Sequence, residues 1–450
     1  MARPTTRTWR LGRWFAVALV VACGWSRANA DEPAPEPPVA KEPASAPPEK
    51  HWVWSWKWDH GVRYHLELPF ENVWIGPDTD LLDRPIEERL AFVGTIGTRI
   101  QVDGAGYAST RGLQDVDSGG ELRRLRFGTR GDFYLLGHVS YALDVELIGS
   151  SFEVGDVYLW WKGIPFIQRF KIGNFTPPMS LESVTSTRDI LFMETSLPVE
   201  ALGPARSSGV QVGGPIFQQR LTWALALVRL LGTTDQGDRS RGGGRAVVRI
   251  TGLPQDDRER GRLTHLGLGA SMLFSAENAR YETRPESHLA PALVDTGVSE
   301  AANQSVAYGV EALHIHGPWL VMGEGLATTV SGRNSATFWG TYALATYTLT
   351  GETQPYDRSS GILDQFLPAR PFSWHDRAWG AFRVGGRVSH IDLNGGPTRG
   401  GRETNLTGNL TWVLNSWLLF KAEYGLALVR DRPDAGNLHF VQTRLQIDFY

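Results

Sequence analysis

The feature that most constrains this chain is an alternation of apolar and polar residues that recurs from about residue 91 to the end. In Val139–Leu147 every odd position is apolar, whereas Asp144 and Glu146 stand between apolar residues. The same period of two runs through residues 168–175 and 417–428. Because neighbouring side chains of a β-strand point to opposite faces, the pattern predicts strands with one apolar and one polar face.

Sixteen such runs follow one another with hardly a helical pattern between them. They cover residues 92–107, 121–131, 136–148, 154–163, 168–175, 208–213, 220–230, 242–252, 262–274, 304–315, 319–330, 337–351, 378–393, 403–414, 417–430 and 438–449. Single-chain bacterial barrels have an even number of strands, and sixteen strands leave an aqueous channel. Soluble sandwiches alternate too, but charges on the polar face favour lipid outside and water inside. The predicted fold is all-β, a 16-stranded antiparallel transmembrane β-barrel over residues 91–450.

Composition supports this fold over a helical membrane protein. The mean hydropathy is -0.23, and the chain has 50 glycines. After residue 30 no stretch approaches the roughly 20 apolar residues that a spanning helix needs. A membrane protein without such helices satisfies its backbone hydrogen bonds in a closed barrel.

The first 30 residues predict a secretory signal that is cleaved during export. Arginines open the segment, Phe15–Ala22 is apolar, and Ala28–Ala30 forms an A-x-A cleavage motif. A competing interpretation makes Cys23, the one cysteine of the chain, a lipidated residue. Residues 31–50 are rich in proline and alanine and predict a disordered linker.

The segment 51–90 begins with four tryptophans at alternate positions, from Trp52 to Trp58. In an extended strand all four share one face. The pattern predicts an edge strand packed on the barrel or at an interface, or an anchor at the membrane–water boundary, where tryptophan is favoured.

The charge of the mature chain excludes one class of protein and limits another. Residues 1–30 hold five arginines and no acid, so their removal leaves 40 basic and 48 acidic side chains, a net charge of -8. A nucleic-acid binder needs a basic face, and we expect no nucleic-acid partner. The same balance argues against a pore lined throughout by positive charge.

The connections and the last strand predict an orientation. Residues 176–207, 275–303, 352–377 and 431–437 form long connections, whereas His316–Pro318 is a tight turn. Short turns face the periplasm and long loops face outside in such barrels. The last strand ends with Phe449 and Tyr450, a terminal aromatic pattern that predicts recognition by the barrel-insertion machinery.

Several segments, in this order and spacing, carry a family resemblance. They are Asp59–Tyr64, Gly97–Asp103, Leu122–Gly128, Lys171–Pro198, Arg284–Pro291 and Ala378–Phe382. Through them the chain resembles the phosphate-selective porins O and P from about Trp58 to its end. The resemblance implies a trimeric outer-membrane channel of sixteen strands, surrounded by outer-membrane lipids, which passes small anions or other small solutes. It also implies that the loop after the fifth strand, about 176–207, folds into the barrel.

Alternation and this loop together predict the residues that line the pore. They are Arg124, Arg126, Arg169, Lys171, Arg383 and Arg387 on strands, and Arg188, Asp189, Glu194 and Arg206 on the loop. Arginines in the lumen focus anions, whereas those paired with lumen carboxylates such as Asp144 and Glu423 brace the wall. Both interpretations stay open for each residue.

The loop differs from phosphate-selective relatives in its positive charge. Met193-Glu194-Thr195 and Arg206-Ser207 stand where the resemblance leads us to expect further arginines, and the loop has no lysine. Phosphate selectivity needs dense positive charge at the constriction. We therefore predict a porin that is general or mildly anion-preferring.

Two other classes of function are alternatives to a porin. An anchoring or structural barrel without significant conductance is one alternative, which the Trp-rich segment and the linker suit. An enzyme is the other, but the sequence has no G-x-S-x-G, P-loop or C-x-x-C motif. His314 and His316 share a strand face without a third ligand, so we expect no metal site and no cofactor.

Overall fold

The structure is a computed structural model that describes residues 53–58, 62–67, 91–110, 113, 116–134, 138–148, 151–229, 243–274, 279–298, 302–333 and 335–449. The predicted signal at 1–30, Cys23 and the linker at 31–50 lie outside the described residues, as does most of the segment 51–90.

The described chain is built almost wholly of strands. The strands are β1 Val53–Trp58, β2 Val62–Glu67, β3 Ala91–Ser109, β4 Gly119–Tyr134, β5 His138–Ile148, β6 Ser151–Ile164, β7 Gln168–Phe175, β8 Ser207–Ile216, β9 Leu221–Val228, β10 Arg245–Asp257, β11 Arg262–Leu273, β12 Glu282–Thr283, β13 Val294–Asp295, β14 Ala302–His316, β15 Trp319–Gly332, β16 Ala336–Thr348, β17 Tyr356–Asp357, β18 Ile362–Leu363, β19 Ala381–Gly395, β20 Thr398–Val413, β21 Leu418–Arg430 and β22 Gly436–Phe449. Two short helices, α1 Leu181–Val184 and α2 Leu197–Leu202, lie between β7 and β8. Neither described helix is long and apolar enough to cross a membrane.

Sixteen long strands form a closed antiparallel barrel, which confirms the predicted fold. Each strand pairs with the next, and β22 closes on β3 from Thr98–Phe449 to Ser109–Leu438. All sixteen predicted runs correspond to barrel strands, including the short run at 208–213, which lies within β8. The four other strands outside the N-terminal hairpin form two-residue pairs, β12 with β13 and β17 with β18.

The wall has an apolar outer face and a charged inner face, as the alternation predicts. On β3, Val102 is 46% exposed on the outside, whereas its neighbours Gln101 and Asp103 are buried within the barrel. On β14 and β15 the inner face is apolar near one end, with Leu313 and Leu320 buried. Part of the interior is therefore packed rather than water-filled.

The Trp-rich segment forms a hairpin that extends the wall. β1 pairs with β2, and β2 pairs with Ala91–Ile96 of β3, next to the point where β22 ends. Trp58 contacts the ring of Phe449, with 5.9 Å between ring centroids. The hairpin therefore covers the part of the β3 edge that β22 leaves free, in agreement with the predicted edge strand. Anchoring at the membrane boundary stays a prediction.

The connections depart from the predicted rule at one place. We call the end at which β3 begins and β22 ends the terminal end. The connection 349–380, which follows the twelfth barrel strand, lies at this end although it is one of the longest. The prediction that long connections lie at the opposite end is wrong for this segment, because strand order alone fixes its side. Its length reflects its position inside the barrel, described below.

Removal of the Trp58 ring should weaken the seam between the first and last barrel strands. We expect Trp58→Ala to lower the temperature at which the barrel unfolds, because an aromatic pair contributes about 0.5–1.5 kcal/mol beyond its buried area. The measurement is the conversion of folded to unfolded mobility on gels after graded heating. Trp56→Ala is the matched control, since Trp56 and Trp58 are each 63% exposed on the same strand. Equal effects of both substitutions would show that the contact with Phe449 contributes nothing.

Candidate functional site

Loop 3, residues 176–206, lies inside the barrel. Leu181 and Glu182 donate their backbone N–H groups to Glu324 of β15, at 3.0 and 2.7 Å. Leu197 donates to Ser389 of β19, and Glu194 contacts Arg123 of β4. These strands lie on different sides of the barrel, and their inward side chains are within reach of one loop only from the lumen.

Strands β21 and β22 hold the middle of loop 3 with buried charged groups. The ammonium group of Lys421 donates to the carbonyl oxygens of Ile190 and Phe192, at 2.7 and 3.0 Å. Glu423 accepts the N–H of Met193, at 2.7 Å. Hydrogen bonds to charged groups contribute about 1.5–3 kcal/mol each, so these contacts fix the loop against that side of the wall.

Glu194 of loop 3 contacts two arginines of the barrel wall. Arg123 donates two hydrogen bonds to its oxygens, at 3.1 and 3.0 Å, and Arg444 lies 2.5 Å away. Burial would raise the pKa of Glu194, but the two guanidinium groups more than offset it and hold the pKa well below its usual range. The carboxylate therefore stays charged and neutralises both arginines.

Sequence reasoning missed Arg123 because of a β-bulge. The register of β3 against β4 shifts between Gln101 and Val102, so Arg124 pairs with Gln101 while Leu122 pairs with Val102. The extra residue, Arg123, points into the lumen together with Arg124, which strict alternation excludes. No pattern in the sequence predicts this bulge.

The other predicted residues of loop 3 are paired rather than free. Arg188 contacts its neighbour Asp189, at 3.1 Å, and Arg206 contacts Asp156 of β6, at 3.2 Å. Burial raises the pKa of Asp189, although Arg188 and Arg99 oppose the shift. Each of these arginines therefore has a carboxylate beside it.

Three of the predicted strand arginines also have carboxylate partners. Arg124 and Arg126 both contact Glu146, and Arg387 contacts Glu286 at 2.9 Å and Glu182 at 3.4 Å. For these residues the wall-bracing interpretation describes the geometry. Their charge is largely balanced by the carboxylates that they contact.

The connection 349–380 fills the terminal end of the lumen. The hydroxyl group of Tyr356 and Nδ1 of His265 on β11 form a hydrogen bond of 2.6 Å. Arg358 forms a bidentate ion pair with Asp256 of β10, at 2.8 and 2.6 Å. Arg383, a predicted pore residue, donates to Gln354 at 2.8 Å and stands 3.9 Å above the ring of Phe366. The segment therefore also fills part of the lumen, and it enters from the end of the barrel opposite to loop 3.

Residues 279–298 fill the lumen between loop 3 and strands β19, β20 and β22. Glu286 accepts from Thr407 of β20 at 2.9 Å, and its carbonyl oxygen accepts from Gln442 of β22 at 3.0 Å. His288 contacts Glu121 of β4 at 2.7 Å. Three inserted segments therefore fill part of the lumen.

One open part of the lumen is a cavity of about 310 Å³ beside β4 and β6–β10. A second cavity of about 40 Å³ lies by β19, β21 and β22. Among the described residues that line the larger cavity, one is acidic, Asp156, and six are basic. The basic residues are Arg126, Arg130, Arg169, Lys171, Arg206 and Arg249.

Arg169 and Lys171 differ from the other cations of this cavity. In the described part of the chain, no carboxylate oxygen lies within 4 Å of either residue, whereas Arg126, Arg130, Arg206 and Arg249 each have one. Arg169 donates instead to the carbonyl oxygen of Ser359, at 3.0 Å. The cavity cations without a carboxylate in contact therefore lie on β7 rather than on loop 3.

His314 and His316, which the sequence left as a candidate pair, lie on the outer face. Their side chains are exposed, whereas Glu311 on the same strand is buried in the lumen beside His265. Within the described ranges, no group of three His, Cys, Asp or Glu residues is placed to hold a metal ion.

A closed barrel with an apolar outside and a partly filled, charged lumen defines a channel of the outer membrane. The family model for "Phosphate-selective porin O and P" matches residues 95–449. The chain therefore belongs to this family and is an outer-membrane porin, a diffusion channel for small hydrophilic solutes.

Individual relatives are distant. An uncharacterised protein of Caulobacter vibrioides is 28% identical over 463 residues, which cover 96% of this chain and 85% of that protein. An anion-selective porin from Comamonas acidovorans is similar in structure, with a TM-score of 0.49, 11% identity, and 79% and 99% of the two chains covered. OmpT, an outer membrane protein of Vibrio cholerae, has a TM-score of 0.49 and 10% identity, with 82% and 100% covered.

Loss of the Lys421 ammonium group should loosen loop 3. We expect Lys421→Met to increase open-channel noise and mean conductance in planar bilayers, because Ile190 and Phe192 lose their tether. Lys162→Met is the control, since Lys162 is also a lumen lysine but lies near Asp132, at 3.7 Å. If both variants change the current alike, lost charge and not loop release is the cause.

The Arg358–Asp256 pair should hold the tip of the segment 349–380 in the terminal mouth. We expect Arg358→Gln to raise single-channel conductance, because the tip is then free to leave the lumen. Arg432→Gln serves as a control, since Arg432 pairs with Asp434 at the opposite end, at 3.1 Å. An unchanged conductance in folded Arg358→Gln protein would contradict this role for the pair.

Proposed function

We propose that this porin conducts small anions in modest preference to cations, through the cavity of the lumen next to β6 and β7. The observation that carries the proposal is the position of Arg169 and Lys171, two cations on the cavity wall without a carboxylate in contact. A charge that no neighbour balances attracts counter-ions into a pore, whereas a paired charge contributes little.

The paired state of the loop 3 arginines supports a mild preference rather than a phosphate-specific one. Arg188 and Arg206 each contact an aspartate, and Glu194 balances Arg123 and Arg444. Specific binding of a multiply charged oxyanion needs several free donors at one point. Arg169 and Lys171 supply a local positive potential without such a ring.

We further propose that the porin works as a homotrimer in contact with outer-membrane lipids. Family membership supports this assembly, and the apolar outer face supports the lipid contact. The insertion machinery is proposed to recognise the strand ending at Phe449. Migration of unboiled protein on gels, at three times the mass of the boiled chain, is the expected result for the trimer.

Reversal potentials in planar bilayers under a potassium chloride gradient test the anion preference. We expect chloride to permeate better than potassium, and Arg169→Gln with Lys171→Gln to reduce the permeability ratio several-fold. The control removes a balanced pair, Arg188→Gln with Asp189→Asn, and should leave the ratio nearly unchanged.

Three outcomes would count against the proposal. A preference for potassium in the unaltered protein contradicts it outright. A larger effect of the balanced control than of the β7 variant places selectivity on loop 3 instead. The absence of unitary current steps in folded protein supports the alternative of a structural or anchoring barrel.

A further inference from the structure

A cluster of aromatic rings surrounds the free lysine of the pore wall. The ammonium nitrogen of Lys171 lies 4.5 Å from the ring centroids of both Tyr158 and Trp160, and 5.3 Å from that of Phe175. The guanidinium carbon of Arg169 lies 5.0 Å from the centroid of Trp160. We call these five residues the aromatic–basic strip.

The strip follows from the pairing of β6 with β7. Trp160 pairs with Lys171, and Tyr158 pairs with Gly173, so inward residues of the two strands form neighbouring rows. Gly173 has a φ of 137°, and a Cβ atom there would lie 2.1 Å from the carbonyl oxygen of Val157. Glycine is therefore required at this position for the two strands to approach so closely.

Because of its aromatic rings, the strip can bind larger anions than chloride or phosphate. Chloride or phosphate would use the cations and gain nothing from the three rings. A planar aromatic anion would place its carboxylate on Lys171 or Arg169 and its ring beside Trp160 or Tyr158. Such a ligand gains the contact between aromatic rings in addition to the charge interaction.

The volume of the cavity and its other lining residues are compatible with such a ligand. Its volume of about 310 Å³ is at the lower limit of small-molecule sites. Ser359 and Ser360 of the segment 349–380 line it, and Gln211 faces it from β8. Asp156, the one carboxylate among the described lining residues, is held by Arg206 at 3.2 Å and by Arg130 at 3.6 Å.

We propose that the aromatic–basic strip is a binding site for small aromatic carboxylates on their way through the pore. This proposal rests on the proposed anion preference, because the same two cations attract the carboxylate. It adds that the rings of Tyr158, Trp160 and Phe175 select among carboxylates of equal charge.

The test compares two acids that differ in the ring alone. Benzoate and cyclohexanecarboxylate are added in turn to the protein in planar bilayers carrying a chloride current. We expect benzoate to reduce the current at a several-fold lower concentration than cyclohexanecarboxylate. Trp160→Leu should remove this difference, whereas Trp160→Phe should keep part of it.

Trp161→Leu is the matched control. Trp161 is the next residue of the same strand and packs on the opposite face against Phe170, with 5.8 Å between ring centroids. The two acids should block this variant at the same concentrations as the unaltered protein. Gel mobility before and after boiling shows which variants are folded, and the comparison of the two acids on the unaltered protein decides the matter by itself if Trp160→Leu does not fold.

The outcomes separate this inference from the proposed function. Equal block by both acids in a protein that still prefers chloride overturns the aromatic site and leaves the anion pore intact. An unaltered difference in folded Trp160→Leu protein also overturns it. A channel that prefers potassium overturns the proposed function as well.

Discussion

Closure of the last strand on the first governs the rest of this molecule. A strand edge within lipid would leave backbone N–H and C=O groups without partners, each at a cost of several kcal/mol. The pairing of β22 with β3 removes that edge, and the β1–β2 hairpin covers the short stretch of β3 that β22 does not reach. Once the wall is closed, every second side chain has to face either lipid or the lumen.

The lumen that closure creates is charged, and several of its charged groups hold the inserted segments. Lys421, Glu423 and Glu324 bind the backbone of loop 3, and Arg387 joins loop 3 to the segment 279–298. The open cavity is left beside β6 and β7, where Arg169 and Lys171 stand among aromatic rings instead of carboxylates.

Prediction from sequence succeeded for the wall and partly failed for the interior. Alternation identified all sixteen strands, and it placed Arg126, Lys171 and Arg387 on the inner face. It could not find Arg123, because a bulge exposes two successive residues to one side. It could not rank Arg206 against Lys171 either, since the difference lies in whether a carboxylate from another part of the chain, Asp156 for Arg206, is in contact.

The sequence by itself determined the barrel, because a strand's two faces are written in a period of two along the chain. It also determined that the interior would carry both signs of charge. Tertiary structure alone decided that the segment 349–380 folds into the lumen, since its length does not say whether it lies inside or outside the barrel. It alone decided that the cations without a carboxylate in contact lie on β7, because the pairing of charges depends on residues up to 349 positions apart, as for Arg99 and Asp448 in the same lumen.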